Sequence, residues 1–126
     1  MPGSARGFGF PRRFRVLLRR DFNRVFTQGI RYQEGPFIAV CSPNNRDHPR
    51  LGLALRRKAL PRAVDRNRIK RLAREAFRQK GAILPPLDIV ISMRVQGADQ
   101  ERHDLRVHLE RLLTRLVAKG MGSSSV

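Results

Sequence analysis

Residues 66–74 read Arg-Asn-Arg-Ile-Lys-Arg-Leu-Ala-Arg, which places five cations and an asparagine in nine positions. On a helical wheel at about 100° per residue, Ile69, Leu72, Ala73, Ala76 and Phe77 gather on one side. Asn67, Lys70, Arg71, Arg74 and Arg78 share the other, and Arg68 falls beside Glu75. One helix can therefore pack with one face and offer cations with the other, and the chemistry that suits is phosphate binding. A merely solvated helix face is the plain alternative, but such faces mix signs at i, i+4 and this one has almost no acid. Arg66, Arg68, Lys70 and Arg71 also crowd the first turns, where the helix dipole already disfavours positive charge. Arginine outnumbers lysine, which fits a bidentate grip on phosphate better than simple solubility. Asp65 is expected to be the N-cap, so that free backbone N–H groups and nearby guanidiniums form a joint anion site.

Hydrolytic chemistry by the protein itself would need converging carboxylates, and the acids near the basic stretch are Asp65, Glu75 and Asp88. Their spacing does not form a cluster: Asp65 reads as a cap, Glu75 as a partner of Arg68 or Arg71, and Asp88 as the start of a strand. His103 and His108 are five apart and His48 lies in a loop, so they read as ordinary surface histidines rather than a zinc site. No catalytic residue is expected on the protein. A magnesium ion bridging Asp65 or Asn67 to a phosphate stays open, because hard cations favour oxygen ligands.

The whole chain carries 27 Lys and Arg against 10 Asp and Glu, a net charge of +17 in 126 residues, so a polyanion is the expected partner. The charge is concentrated in residues 56–80, with eleven cations and two acids, and in residues 1–24, with seven cations and one acid. An anionic membrane would answer the charge too, but no apolar run approaches the ~20 residues that span a bilayer. The basic helix also lacks bulky anchors for a lipid interface. The length suits one domain with its own core. Cys41 is alone, so no internal disulfide forms, in keeping with a reducing cytosol. Residues 1–9 have no apolar h-region and read as a flexible arm; residues 10–119 form the domain; the Gly- and Ser-rich residues 120–126 read as a disordered tail.

The elements that must position the basic helix follow from periodicity. Phe22, Val25 and Phe26 at i, i+3, i+4 predict a short helix over 20–28, closed by Gly29. Apolar runs at 37–41 and 51–55 predict two strands, and the turn-rich segment 43–49 between them suggests an antiparallel hairpin. A further short strand is expected near 30–33. Beyond Pro85 and Pro86, the alternation of Leu87, Ile89, Ile91 and Met93 predicts another strand. Leu105, Leu109, Leu112, Leu113, Leu116 and Val117 form a last helical stripe that stops near Gly120. The order is that of an α/β (α+β) sandwich, with helices on a mixed sheet and the basic helix crossing between two strands.

These residues resemble the protein component of bacterial ribonuclease P. The resemblance rests on the run Arg50 to Lys58, then on Ala63-Val64-Asp65-Arg66-Asn67-Arg68-Ile69-Lys70-Arg71 with its Arg-Asn-Arg core. Phe10-Pro11, Arg15-Val16-Leu17, Asp21 to Phe26 and Leu87 to Ile91 agree as well. It implies a catalytic RNA that removes the 5′ leader of precursor tRNA with Mg2+ held mainly by the RNA, assisted by a cytoplasmic, monomeric protein in a 1:1 complex. It implies that Arg66, Asn67, Arg68, Lys70, Arg71 and Arg74 face the catalytic RNA. Phe22, Phe26, Phe37, Arg57 and Lys58 would line a cleft for the single-stranded leader, since aromatic rings and cations bind single strands with little sequence preference. Core positions suit Phe22 and Phe26 by spacing, and Phe37 reads either way. The crossover is implied to be left-handed, against the usual right-handed rule. The rival reading is a ribosomal or other structural RNA-binding protein, for which charge and size speak equally.

Overall fold

A computed structural model describes residues 14–16, 18–94 and 102–124. The flexible arm expected at 1–9, the residues Phe10, Pro11 and Leu17 of the resemblance, and the last two residues of the tail lie outside that range. The elements are α1 (Arg19–Gln28), β1 (Ile30–Glu34), β2 (Phe37–Pro43), β3 (Arg50–Ala54), α2 (Ala63–Lys80), β4 (Leu87–Met93) and α3 (Arg102–Ser124). The last helix thus runs through Gly120, past the stop that its apolar stripe predicts.

The four strands form one mixed sheet in the order β1-β2-β4-β3. β1 and β2 make the hairpin, with Glu34 opposite Phe37. Gly35 takes φ 57°, the positive angle that glycine adopts most readily. A side chain there would also meet the His108 ring at 2.5 Å, so His108 is packed under a turn and is not the surface histidine expected. The hairpin predicted between β2 and β3 does not form. β4 lies between them, antiparallel to β2 and parallel to β3, and α2 is the crossover from β3 to β4.

Two helices cover one face of the sheet. Phe37, Ala39 and Cys41 of β2, with Ile89, Ile91 and Met93 of β4, meet the buried stripe of α2 and Leu105, Leu109, Leu112, Leu113 and Leu116 of α3. The stripe on α2 is the one its periodicity predicts: Ile69, Leu72, Ala73, Ala76 and Phe77. α1 crosses the other face, and there the apolar contact is smaller: Val25, Val40 and Val90 are buried, Val16 is buried beside Phe22 over Gly52, and Phe22, Ile38 and Ala54 pack at their edge. Since β2 packs on both faces, with Val40 under α1 and Ile38 at the edge of that cluster, residues 37–41 form an unbroken apolar run rather than an alternating one.

Cys41 is buried against the larger core, and burial pushes its thiol up to about 12. The thiolate is the reactive form, so at pH 8 the native protein should resist a thiol-specific reagent and react only as urea unfolds it. Rapid labelling in native buffer would contradict this placement.

Candidate nucleic-acid interface

Asp88 has no solvent exposure and anchors a ring of charges between α1 and the sheet. The Arg50 guanidinium donates Nε to Asp88 Oδ1 at 2.8 Å and Nη2 to Oδ2 at 2.7 Å. Arg24 Nη2 donates to the same Oδ2, and Asn44 Nδ2 donates to Oδ1 at 3.0 Å. Asp21 closes the ring, 3.4 Å from Arg50 and 3.8 Å from Arg24. Two acids and two guanidiniums therefore alternate, α1 supplying Asp21 and Arg24, β3 Arg50, and β4 Asp88. Burial alone would raise the Asp88 carboxyl, but the bonds from Arg50, Asn44 and Arg24 outweigh it and hold the group below its ordinary range.

The ring ties one flank of α1 to the sheet. Spacing of about 100° per residue puts Asp21 and Arg24 on one flank of the helix, Phe22 and Val25 underneath, and Phe26, Asn23 and Arg19 on the opposite flank. The Phe22 ring lies directly over Gly52 of β3, where a Cβ would stand only 3.0 Å from it. Val40 and Val90 lie in the same cross-strand row as Gly52 and are buried under α1. The next row, Gln33, Ile38, Ser92 and Ala54, is left partly or fully exposed. This open row forms a floor, with Phe26 (49 % exposed) on the wall beside it. Arg31 on β1, Arg94 directly after β4, and Arg56, Arg57 and Lys58 in the segment after β3 are exposed cations.

α2 presents the second cationic surface. Asn67 and Arg71 are exposed and Lys70 half-buried, none with an ion pair or side-chain hydrogen bond among the described residues. Arg74 is held below its ordinary range by burial and by the nearby charge of Arg15, which precedes α1. Residue 15 also bridges to Leu51 at the edge of β3, so the chain entering the domain is built into the sheet beside α2.

The family model for ribonuclease P matches residues 10–117. The ribonuclease P protein component of Methylococcus capsulatus is 40% identical over 124 residues, 98% of this chain and 97% of that protein. That of Nitrosococcus oceani is 41% identical over 110 residues, 87% of this chain and 92% of that protein. The solved ribonuclease P protein of Staphylococcus aureus superposes with a TM-score of 0.75 at 29% identity, covering 81% of this chain and 94% of that one. For Thermotoga maritima the TM-score is 0.70 at 34% identity, covering 80% and 96%. The chain belongs to the ribonuclease P protein family.

In this ribonuclease P protein the residues expected to bind divide unevenly. Arg66 turns back onto the loop before α2, donating Nη1 to the carbonyls of Leu60 at 2.8 Å and Pro61 at 3.1 Å, so it holds the helix start as well as lying on it. Arg68 lies 3.8 Å from Asp65, whereas Asn67, Lys70 and Arg71 stand clear. Asp65 does not cap the helix: α2 begins at Ala63 with Arg62 before it, and Asp65 falls in the first turn, where its charge suits the dipole. Glu75 pairs with Arg78 at 2.9 Å rather than with Arg68 or Arg71. Among the leader-binding candidates, Phe37 is fully buried toward α2 and α3 and does not reach the open row; Ile38, one residue on, lies in it. Phe22 is mainly a packing residue. Phe26, Arg57 and Lys58 remain accessible.

Sequence reasoning missed the charge ring and the cations Arg31 and Arg94. The Asp21–Arg24 spacing was the available signal for the ring, but the same i, i+3 spacing occurs in ordinary surface pairs. Asp65 is a poor magnesium ligand as it stands, because Arg62 and Arg68 lie 3.9 and 3.8 Å from its carboxylate. Among the described residues, no three His, Cys, Asp or Glu side chains gather to hold a metal.

The depressed folded pKa of Asp88 means that its contribution to stability is full above the unfolded value near ~4 and is lost as pH falls through the folded value. Asp88→Asn should lower stability at pH 7 by about 3–5 kcal/mol, because Arg50 and Arg24 lose a buried counter-charge. It should also flatten the acid limb of urea midpoint against pH. An unchanged midpoint at pH 7 would show that the ring adds nothing.

Proposed function

We propose that this chain is the protein subunit of ribonuclease P. In this reading it assists a catalytic RNA in endonucleolytic removal of the 5′ leader from precursor tRNA, as a monomer in a 1:1 complex in the cytoplasm. Family membership supports the assignment to the enzyme. The observation that carries the division of labour is the presence of two separate cationic surfaces on one small domain. The face of α2 suits the phosphates of a folded RNA, and the half-open sheet face beside Phe26 suits a single strand.

The α2 face is convex and rigid, with Asn67, Lys70, Arg71 and Arg74 on consecutive turns. Cations there displace condensed counterions from RNA, a sequence-independent contribution that falls with salt. The sheet face is different in kind. Ile38 and Ala54 give an apolar floor, Phe26 an aromatic wall, and Arg31, Arg94, Arg57 and Lys58 a charged rim. One strand with splayed bases fits that combination, whereas a duplex hides its bases from it. No helix among the described residues is long and apolar enough to cross a membrane.

In this mechanism the protein performs no bond cleavage. Its cations lower the repulsion between catalytic RNA and leader, so magnesium held mainly by the RNA is effective at lower concentration. Leader contacts favour precursor over mature tRNA, since only the precursor has a strand to place on the sheet.

Cleavage of precursor tRNA by a bacterial ribonuclease P RNA at low magnesium should rise on adding this protein, and the protein alone should cleave nothing. Failure to stimulate while RNA binding persists would favour a structural RNA binder instead. Arg71→Ala should weaken binding to the catalytic RNA, reduce the slope of log affinity against log salt by about 0.7–0.9, and leave the melting temperature unchanged. An unaltered salt slope would remove Arg71 from the phosphate surface.

A further inference from the structure

We infer that the buried charge ring is a positioning device for substrate discrimination: Arg24 and Asp21, joined to Asp88 and Arg50, fix the rotation of α1 so that Phe26 faces the open row of the sheet. The inference rests on the proposed leader site and adds residues that touch no RNA in it.

The geometry of α1 makes the ring necessary. Val25 is the one residue of α1 that is fully buried, and the apolar cluster beneath it contains two further buried residues, Val40 and Val90. Contact of that size holds a helix near a sheet but specifies its rotation weakly, because hydrophobic burial is non-directional. Charge-assisted hydrogen bonds are directional. Arg24 reaches Asp88, and Asp21 reaches Arg50, on the flank opposite Phe26. Arg50 and Asp88 are direct cross-strand partners on β3 and β4, so the helix is registered against two strands at once. Asn44 extends the frame, donating to Asp88 and at 3.1 Å to the His48 carbonyl, which fixes the loop between β2 and β3.

Turning α1 by one residue's worth of rotation would move Phe26 off the wall and bring Asn23 or Arg19 toward the floor. Binding to the catalytic RNA through α2 would be untouched, since α2 lies on the other face of the sheet. Loss of the ring should therefore appear as loss of preference for precursor over mature tRNA.

The test uses the full chain assembled with a ribonuclease P RNA, and measures affinity for precursor and for mature tRNA. Arg24→Met removes the helix's link to Asp88 but keeps the two-bond Arg50–Asp88 pair. It should reduce the precursor-to-mature affinity ratio about tenfold, within the range that one base stacked on an aromatic ring contributes. Assembly with the catalytic RNA should stay within about twofold, and Arg24→Lys should recover part of the ratio. The salt dependence of precursor binding should keep its slope; a slope shallower by about 0.7–0.9 would mean that Arg24 grips a phosphate directly and would overturn the positioning role. Phe26→Ala serves as the direct reference. If it lowers the ratio and Arg24→Met does not, the inference fails and the leader site stands; if neither lowers it, the leader site itself falls. Should Arg24→Met not fold, Asp21→Asn cuts the same ring from the same helix, and the same ratio decides.

Discussion

A carboxylate with no exposure, Asp88, sits where three parts of this fold meet. It is the second residue of the inner strand β4, faces Arg50 across the parallel pairing with β3, receives Arg24 from α1, and receives Asn44 from the loop that leaves β2. Removing a charge from water is costly, and the cost is recovered only where the partners are complete and well placed. Asp88 meets that condition with two guanidiniums and an amide, whose hydrogen bonds are directional. The apolar core on the other face needs no such device, because α2 and α3 interlock with the sheet over many large side chains.

The two faces of the sheet thus follow different physics, and the two surfaces proposed to bind RNA inherit the difference. α2 is set in a close-packed core, so its cations are displayed from a rigid support. α1 rests on a few valines and a set of polar bonds, so the surface it borders is narrow, partly apolar and sensitive to a single rotation. A convex charged face and a half-open groove then coexist on a chain of 126 residues without competing for the same side chains.

Much of this was legible in the sequence, and the rest was hidden for definite reasons. The stripe Ile69, Leu72, Ala73, Ala76 and Phe77 is local, so α2 and its outward cations could be read from spacing alone. The alternation from Leu87 to Met93 identified β4 in the same way. Strand order could not be read, because the insertion of β4 between β2 and β3 is sealed by contacts such as Asn44 to Asp88, 44 residues apart. Whether Phe37 faces the core or the open row could not be read, because five consecutive apolar residues carry no alternation to mark which face each takes. Arg66 looked interchangeable with Arg71, yet the wheel places it near the apolar edge, and there its guanidinium meets the carbonyls of Leu60 and Pro61.

The position of β4 also governs how the chain can come together in time. It is the last strand made but lies inside the sheet, so on emerging from synthesis β2 has only the β1 hairpin for a neighbour, and β3 waits through the whole of α2 for the strand it pairs with. Long-range parallel pairing of this kind is slow because loop closure precedes the reward. Until residue 87 is available, the nascent chain carries unpaired strand edges, the condition in which partly folded proteins associate. The dense positive charge of the segment from 56 to 80 is already present by then, and copies that repel one another gain time for the central strand to arrive.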